Sequence, residues 1–148
     1  MSHTTRRVPA DPVITTLMTS RVVAVDPGMA LIDTLRLMDS AGVRHLPVVE
    51  DGRCVGLLAE VDVLRRLIAH GLLRPGFTAR LTAGEVCRRP APIVAVWATR
   101  ATAAQVMLAM GSDAVVVLND DRMLGIVTAS DLAASLAGTP PGGAAGPR

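Results

Sequence analysis

The chain has 148 residues and a mass of 15.4 kDa; half of its residues are apolar, 19% are charged, and the net charge is +2 at neutral pH. A chain of this length buries roughly two-thirds of its unfolded surface, so it folds without needing a metal or a disulfide, and its composition is globular rather than disordered. With one Phe, one Trp and no Tyr it lacks the rings that a base-stacking nucleic-acid surface uses.

The basic residues are all Arg, and their pairs (Arg6-Arg7, Arg65-Arg66, Arg88-Arg89) read as solvated faces rather than a stripe for nucleic acid. Cys54 and Cys87 have no CxxC partner, and His3, His45 and His70 fit no metal spacing, so no metal and no cofactor are expected. Cys54 lies in an apolar run and reads as a buried, reduced thiol. The chain contains no P-loop, GxGxxG or Ser-His-Asp order, and no activated nucleophile, which argues against an enzyme. "MSHTTRRVPADP" has arginines without an apolar segment behind them, and no stretch approaches the ~20 apolar residues of a membrane span. A cytoplasmic protein with no membrane partner is expected.

In chain order, residues 1–12 form an expected flexible tail. "RVVAV" (21–25) is a short β-rich segment. Leu31, Thr34, Leu35 and Met38 then recur at i, i+3, i+4 and i+7, the single face of a helix, with Asp26 as a cap near its start and Gly42 where a left-handed C-cap belongs. "LPVV" and "CVGLL", joined by "EDGR", read as an antiparallel hairpin because Asp-Gly suits the turn. "EVDVLRRLIAHG" is a second helix. Residues 71–82 link to the next part, with Phe77 as a side chain that would pin the linker to the core.

The same order then recurs. "PIVAV" is followed by Thr99 as a cap, a helix on Ala103, Val106, Met107 and Met110, Gly111 as its stop, the runs "AVVVL" and "MLGIV" through "NDDR", and the helix "SDLAASLAG". "GTPPGGAAGPR" (138–148) is rich in helix breakers and reads as a disordered tail. Shifting the chain by 69 pairs Met38 with Met107, Gly42 with Gly111, Gly56 with Gly125 and Asp62 with Asp131. Upstream, Val23-Ala24-Val25 matches Val94-Ala95-Val96, which suggests a two-residue deletion in the second copy. The chain is therefore read as a mixed α/β protein of the α+β type, with two β-α-β-β-α repeats over 13–70 and 83–137 related by a pseudo-twofold axis.

On "LMTSRVVAV", "GVRHLPVV" and "GIVTASDL", in this order and spacing, the chain resembles a tandem pair of CBS domains, a Bateman module. The resemblance implies a stand-alone regulatory module, often dimeric, with two clefts between the repeats for AMP, ATP or S-adenosylmethionine, signalling to a protein partner by a change of shape. It implies ligand contacts at Thr128, Ser130, Asp131 and Asp62, and at Arg44, His45 and Pro47. Thr128 would donate to a phosphate, and Asp131 would accept from the hydroxyls of a ribose. Thr-x-x-Asp before an apolar run is also close to a capping box that needs no ligand, and the residues leave both readings open. A ligand-free dimerisation or interaction module is the alternative function.

The two clefts are expected to be unequal. Ala59 and Glu60 replace the hydroxyl in the earlier copy, while Asp113-Ala114 stands where the earlier copy has Arg44-His45; the sequence does not say which cleft joins Arg44 to Thr128. Trp97 reads as a core or interface side chain, with a place over an adenine as the alternative. Met18, Met38, Met107 and Met110 read as core or dimer-face packing, and the apolar face on Leu64, Leu67 and Ile68 suggests a homodimer.

Overall fold

In a computed structural model of the chain, residues 10–76 and 80–138 are described. Phe77, residues 1–9 and residues 139–148 lie outside them. A single 3-10 turn at Ile14–Thr16 precedes α1 (Leu31–Ala41), the hairpin β1 (His45–Glu50) and β2 (Arg53–Ala59), and α2 (Glu60–Ala69). The short α3 (Ala83–Val86) leads to β3 (Ile93–Ala95), α4 (Arg100–Met110), the hairpin β4 (Ala114–Asn119) and β5 (Arg122–Thr128), and α5 (Ala129–Leu136).

Local chemistry accounts for most boundaries. Gly42 and Gly111 end α1 and α4 at φ 67° and 60°, the left-handed conformation that a Cβ penalises. Asp51 and Gly52, at φ 51° and 75°, turn the first hairpin, and Asp120 at φ 52° turns the second, as residues tolerant of positive φ must. Thr99 caps α4 by accepting from the Thr102 N–H. Asp26 does not cap α1; its carboxylate accepts from Gly28 N–H at 2.8 Å in the preceding turn, and the N-cap is Ala30. On α1, Leu31, Thr34 and Met38 are buried, and the Thr34 hydroxyl is satisfied by the Leu31 carbonyl at 2.6 Å.

The first β-rich segment is reduced to one bridge, Val25 beside Val48, while its counterpart β3 pairs in parallel with β4 through Val94 and Val117. Val25 is therefore the equivalent of Val94, and the offset is 69 here too, with no deletion. The sequence match slipped because valines alternate in both segments. A shift of two restores the pattern, and only the ladder distinguishes the registers. Both hairpins carry a register shift at the same place, after Val48 and after Val117.

The lead-in of each repeat crosses to the other. Ile14 and Leu17 are buried with Val94, Ala103, Met107, Val115 and Leu132 in the second repeat's core. Ala83 is buried with Leu31, Met38, Leu46, Leu58 and Val63 in the first. Isolated bridges join Val13 to Thr99 and Ala30 to Thr82, and Thr19 to Ile126 and Leu57 to Arg88. Each of these pairs maps onto its partner by the same 69-residue offset, so the pseudo-twofold relation extends to the exchanged segments. Between the two sheets, Leu57, Ala114 and Val116 form a third buried cluster at the seam.

Asp11 and Pro12 are not part of a loose tail. The Pro12 carbonyl accepts from Arg100 N–H at 2.9 Å, and Asp11 accepts from Ala101 N–H at 2.8 Å and lies 3.4 Å from the Arg100 guanidinium. These contacts hold an acid at the start of α4, where orphan N–H groups and the helix dipole favour it. Trp97 is 73% exposed, in the turn after β3, so it is not a core residue. Leu67 faces its own repeat's core, Leu64 is half-buried and Ile68, 53% exposed, faces outward; the expected apolar stripe on α2 is thus divided between inside and outside. Cys54 is half-buried rather than buried, and burial raises its thiol pKa.

Two outcomes test this architecture. A Cβ at Gly125 would lie 2.6 Å from the Thr19 carbonyl oxygen, and at Gly56 2.6 Å from Cys87 Sγ and 3.0 Å from the Arg88 carbonyl oxygen. Gly125→Ala is expected to cost about 1–3 kcal/mol in urea unfolding, and Gly56→Ala less, because a thiol side chain yields more easily than a backbone carbonyl. The Ala101 N–H, then the Thr99 hydroxyl and, more weakly, Arg100, hold the Asp11 carboxyl below its ordinary range. Its stabilising effect is therefore complete above the ordinary carboxylate pKa and is lost as pH falls through the lower folded value. Asp11→Ala should lower the unfolding midpoint at pH 7 and leave it unchanged in strong acid.

Candidate functional site

The strands β2 and β5 each end where a helix begins, β2 at Ala59 and β5 at Thr128. The first N–H of α2, on Glu60, donates to the Arg44 carbonyl at 2.9 Å, and the first N–H of α5, on Ala129, donates to the Asp113 carbonyl at 2.7 Å. These paired junctions open two clefts related by the pseudo-twofold, one beside Thr128 and one beside Ala59.

The Thr128 cleft has a volume of about 460 Å³ and is lined by Thr19, Arg21, Val22, Val23, Gly42, Val43, Arg44, His45, Asp113, Ile126, Thr128, Ala129, Ser130 and Asp131. Arg44 and Thr128 thus share one cleft. The Ala59 cleft, about 630 Å³, is lined by the equivalents Ala59, Val61, Asp62, Arg88, Gly111, Ser112, Asp113 and Leu57, with Arg65, Ala104, Met107, Leu108, Ala129, Leu132 and His45 completing it. Both volumes fall in the range of small-molecule sites. Pro47 lines neither; it is buried in β1, where its carbonyl accepts from Val25 N–H at 2.9 Å. Trp97 lines neither as well.

His45 and Asp113 border both clefts. His45 Nε2 donates to Asp113 Oδ1 at 2.7 Å across the seam, with the imidazole 8% exposed and the carboxylate 67% exposed. A carboxylate only accepts, so the proton in this bond belongs to Nε2. The bond ties the start of β1 in one repeat to the residue before β4 in the other.

At the Thr128 junction the capping box is fully formed. Thr128 N–H and Oγ1–H both donate to Asp131 Oδ2, at 2.8 and 3.0 Å, and Asp131 N–H donates back to Oγ1 at 3.2 Å. Asp131 Oδ1 has no hydrogen-bond partner among the described residues and lies on a cleft-lining side chain. The motif therefore caps α5 and still leaves an acceptor for a ligand. At the equivalent junction Ala59 provides no side-chain cap for α2. In that cleft Arg88 donates to the carbonyls of Met110 at 2.7 Å and Gly111 at 3.3 Å, a cation on the C-terminus of α4.

Arg21, Thr19, Arg88 and Leu108 are cleft residues that the sequence reading did not select. Thr19 and Arg88 are 69 residues apart and sit on the exchanged segments; their equivalence was visible in the offset, but their place in a cleft was not. Among the described residues no group of His, Cys, Asp and Glu is arranged to hold a metal, and no helix is long and apolar enough to cross a membrane.

The chain matches the family model for the CBS domain twice, over residues 14–69 and 83–138. The uncharacterized protein MJ1225 of Methanocaldococcus jannaschii is 36% identical over 61 residues, 41% of this chain and 22% of that protein, so the match spans less than a quarter of the relative's length. The CBS domain pair of protein MJ0100, solved in complex with 5′-methylthioadenosine and S-adenosyl-L-methionine, is similar with a TM-score of 0.76 at 18% identity, over 86% of this chain and 98% of that one. CBSX2, solved in complex with AMP, is similar with a TM-score of 0.70 at 21% identity, over 86% and 97%. At these identities the likeness is one of fold.

The unequal capping is measurable without any ligand. Thr128→Ala should cost about 1 kcal/mol in urea unfolding, and Ala59→Thr, which places a hydroxyl three residues before Asp62, should recover a similar amount.

Proposed function

The chain belongs to the CBS domain family, and on that premise we propose that it is a regulatory module that binds an adenosine-containing ligand, AMP, ATP or S-adenosylmethionine, in the clefts between its repeats. One observation carries this reading: Arg21, Arg44, Ser130 and Asp131 converge on a single cleft at the N-terminus of α5. The guanidinium groups and the helix terminus suit a phosphate, and Asp131 Oδ1 is free to accept from ribose hydroxyls. Thr128 has its one hydroxyl proton on Asp131, so the first phosphate contacts fall to Arg44, Arg21 and the N-terminal N–H groups of α5. Two proteins of the same fold carry adenosine compounds, which supports an adenosine base over another.

The ligand acts by favouring one arrangement of the two repeats, since only a difference in affinity between arrangements shifts their populations. The His45–Asp113 bond across the seam is the contact such a shift would alter first. The module works in the cytoplasm as a homodimer that passes this change to a protein partner, and it performs no catalysis itself. The alternative is a ligand-free dimerisation or interaction module. It is favoured by the capping box being satisfied without a ligand and by Ile68 and Leu108 standing exposed at 53% and 83%.

Thermal melts decide between them. AMP at 100 times its dissociation constant should stabilise the protein by about 2.7 kcal/mol, and Arg44→Ala should weaken AMP by about tenfold, as loss of a charged phosphate contact does. A melting temperature unmoved by millimolar AMP, ATP or S-adenosylmethionine, in a protein that sediments as a dimer, would instead establish the interaction module.

A further inference from the structure

The two clefts have one backbone and opposite chemistry at corresponding positions. Where the Thr128 cleft presents Arg44, its counterpart presents Asp113; where it presents Thr128, the counterpart has Ala59; and Ser130 becomes Val61, 49% exposed. The residue that opens the helix changes as well, from Ala129 to Glu60. A 5′-phosphate placed at the Ala59 junction would meet the Asp113 carboxylate with no hydroxyl at 59 or 61, and the hydroxyl of Ser112, which lines this cleft, is spent on the Ala114 carbonyl at 2.8 Å. The ribose acceptor, by contrast, is retained, Asp62 standing where Asp131 does.

The cations of the Ala59 cleft do not restore a phosphate site. Arg88 is committed to the Met110 and Gly111 carbonyls, and Arg65 lies one helical turn from Asp62, where its charge offsets that carboxylate rather than Asp113. His45 is bonded to Asp113, so the wall between the clefts brings no net positive charge. In place of phosphate donors this larger cleft offers the apolar side chains of Val61, Met107 and Leu108.

We propose that the Ala59 cleft takes a nucleoside whose 5′ substituent is uncharged or cationic, while the Thr128 cleft takes a nucleoside phosphate, so that one module reads two chemically different ligands. This rests on the clefts being nucleoside sites at all. Asp113 borders both clefts, but only the Thr128 cleft sets Arg21 and Arg44 against it, so an anion at the 5′ end is repelled from the Ala59 cleft, and the apolar mouth accepts a thioether or alkyl tail.

AMP and 5′-methylthioadenosine differ only at the 5′ position, phosphate against thioether, and serve as the probes in calorimetric titrations of the whole chain. Asp131→Ala, which disables the Thr128 cleft, should bind 5′-methylthioadenosine at least about tenfold more tightly than AMP. Asp62→Ala should show the reverse preference by a similar factor. Because Asp131→Ala also removes a helix cap, Arg44→Ala, which leaves the capping box intact, serves as a second variant and should show the same loss of AMP with 5′-methylthioadenosine binding kept. Equal affinities in Asp131→Ala, a preference there for AMP, or a wild-type chain that binds AMP alone would overturn the assignment and leave the proposed function standing. A wild-type chain that binds neither probe would overturn both.

Discussion

Two close approaches of backbone hold the molecule together: the segment at Thr19 against Gly125, and the segment at Arg88 against Gly56. At both, a strand edge that would otherwise lie open is covered by the lead-in of the other repeat, and the crossing is so near that a side chain on the strand would collide with it. Covering the edges matters because a two- or three-stranded sheet with free edges is marginal alone and prone to pair elsewhere. It also means that neither repeat has a complete core without the other's residues, Ile14 and Leu17 in one and Ala83 in the other. The halves are therefore expected to fold and unfold as one unit.

The clefts are a consequence of that crossing. Because β2 and β5 meet near the axis and their helices leave it, the N-termini of α2 and α5 are brought to the seam with polar backbone facing outward. The scaffold is held by buried Leu, Val and Met, whereas a capping motif such as that at Thr128 contributes on the order of 1 kcal/mol. A contribution of that size leaves the junctions free to diverge. Ala59 can replace the capping threonine, and Asp113 can stand at the position of Arg44, without loss of the fold. Two clefts of different lining on one symmetric frame follow from this separation of energies.

The His45–Asp113 bond belongs to both sites. It is the polar contact by which the lip of one cleft touches the other repeat, short at 2.7 Å and with the imidazole almost fully covered. Through this bond the two clefts share one wall.

The residues alone were sufficient for the repeat, the order of its elements, both hairpins, the glycine stops at Gly42 and Gly111, and the Thr-x-x-Asp motif at the start of the last helix. Each of these is encoded in a local period or a local backbone preference. Tertiary structure decided the rest. It placed Arg44 with Thr128 and brought Arg21 and Thr19 into the same cleft. It exchanged the lead-ins, anchored Asp11 to α4, and showed that Val25, not Val23, is the partner of Val94. The reason is the same in each case: these facts depend on pairing between segments far apart in the chain. A period of two in alternating valines reads identically in neighbouring registers, and nothing local to Thr19 or Arg88 records which strand it will lie beside.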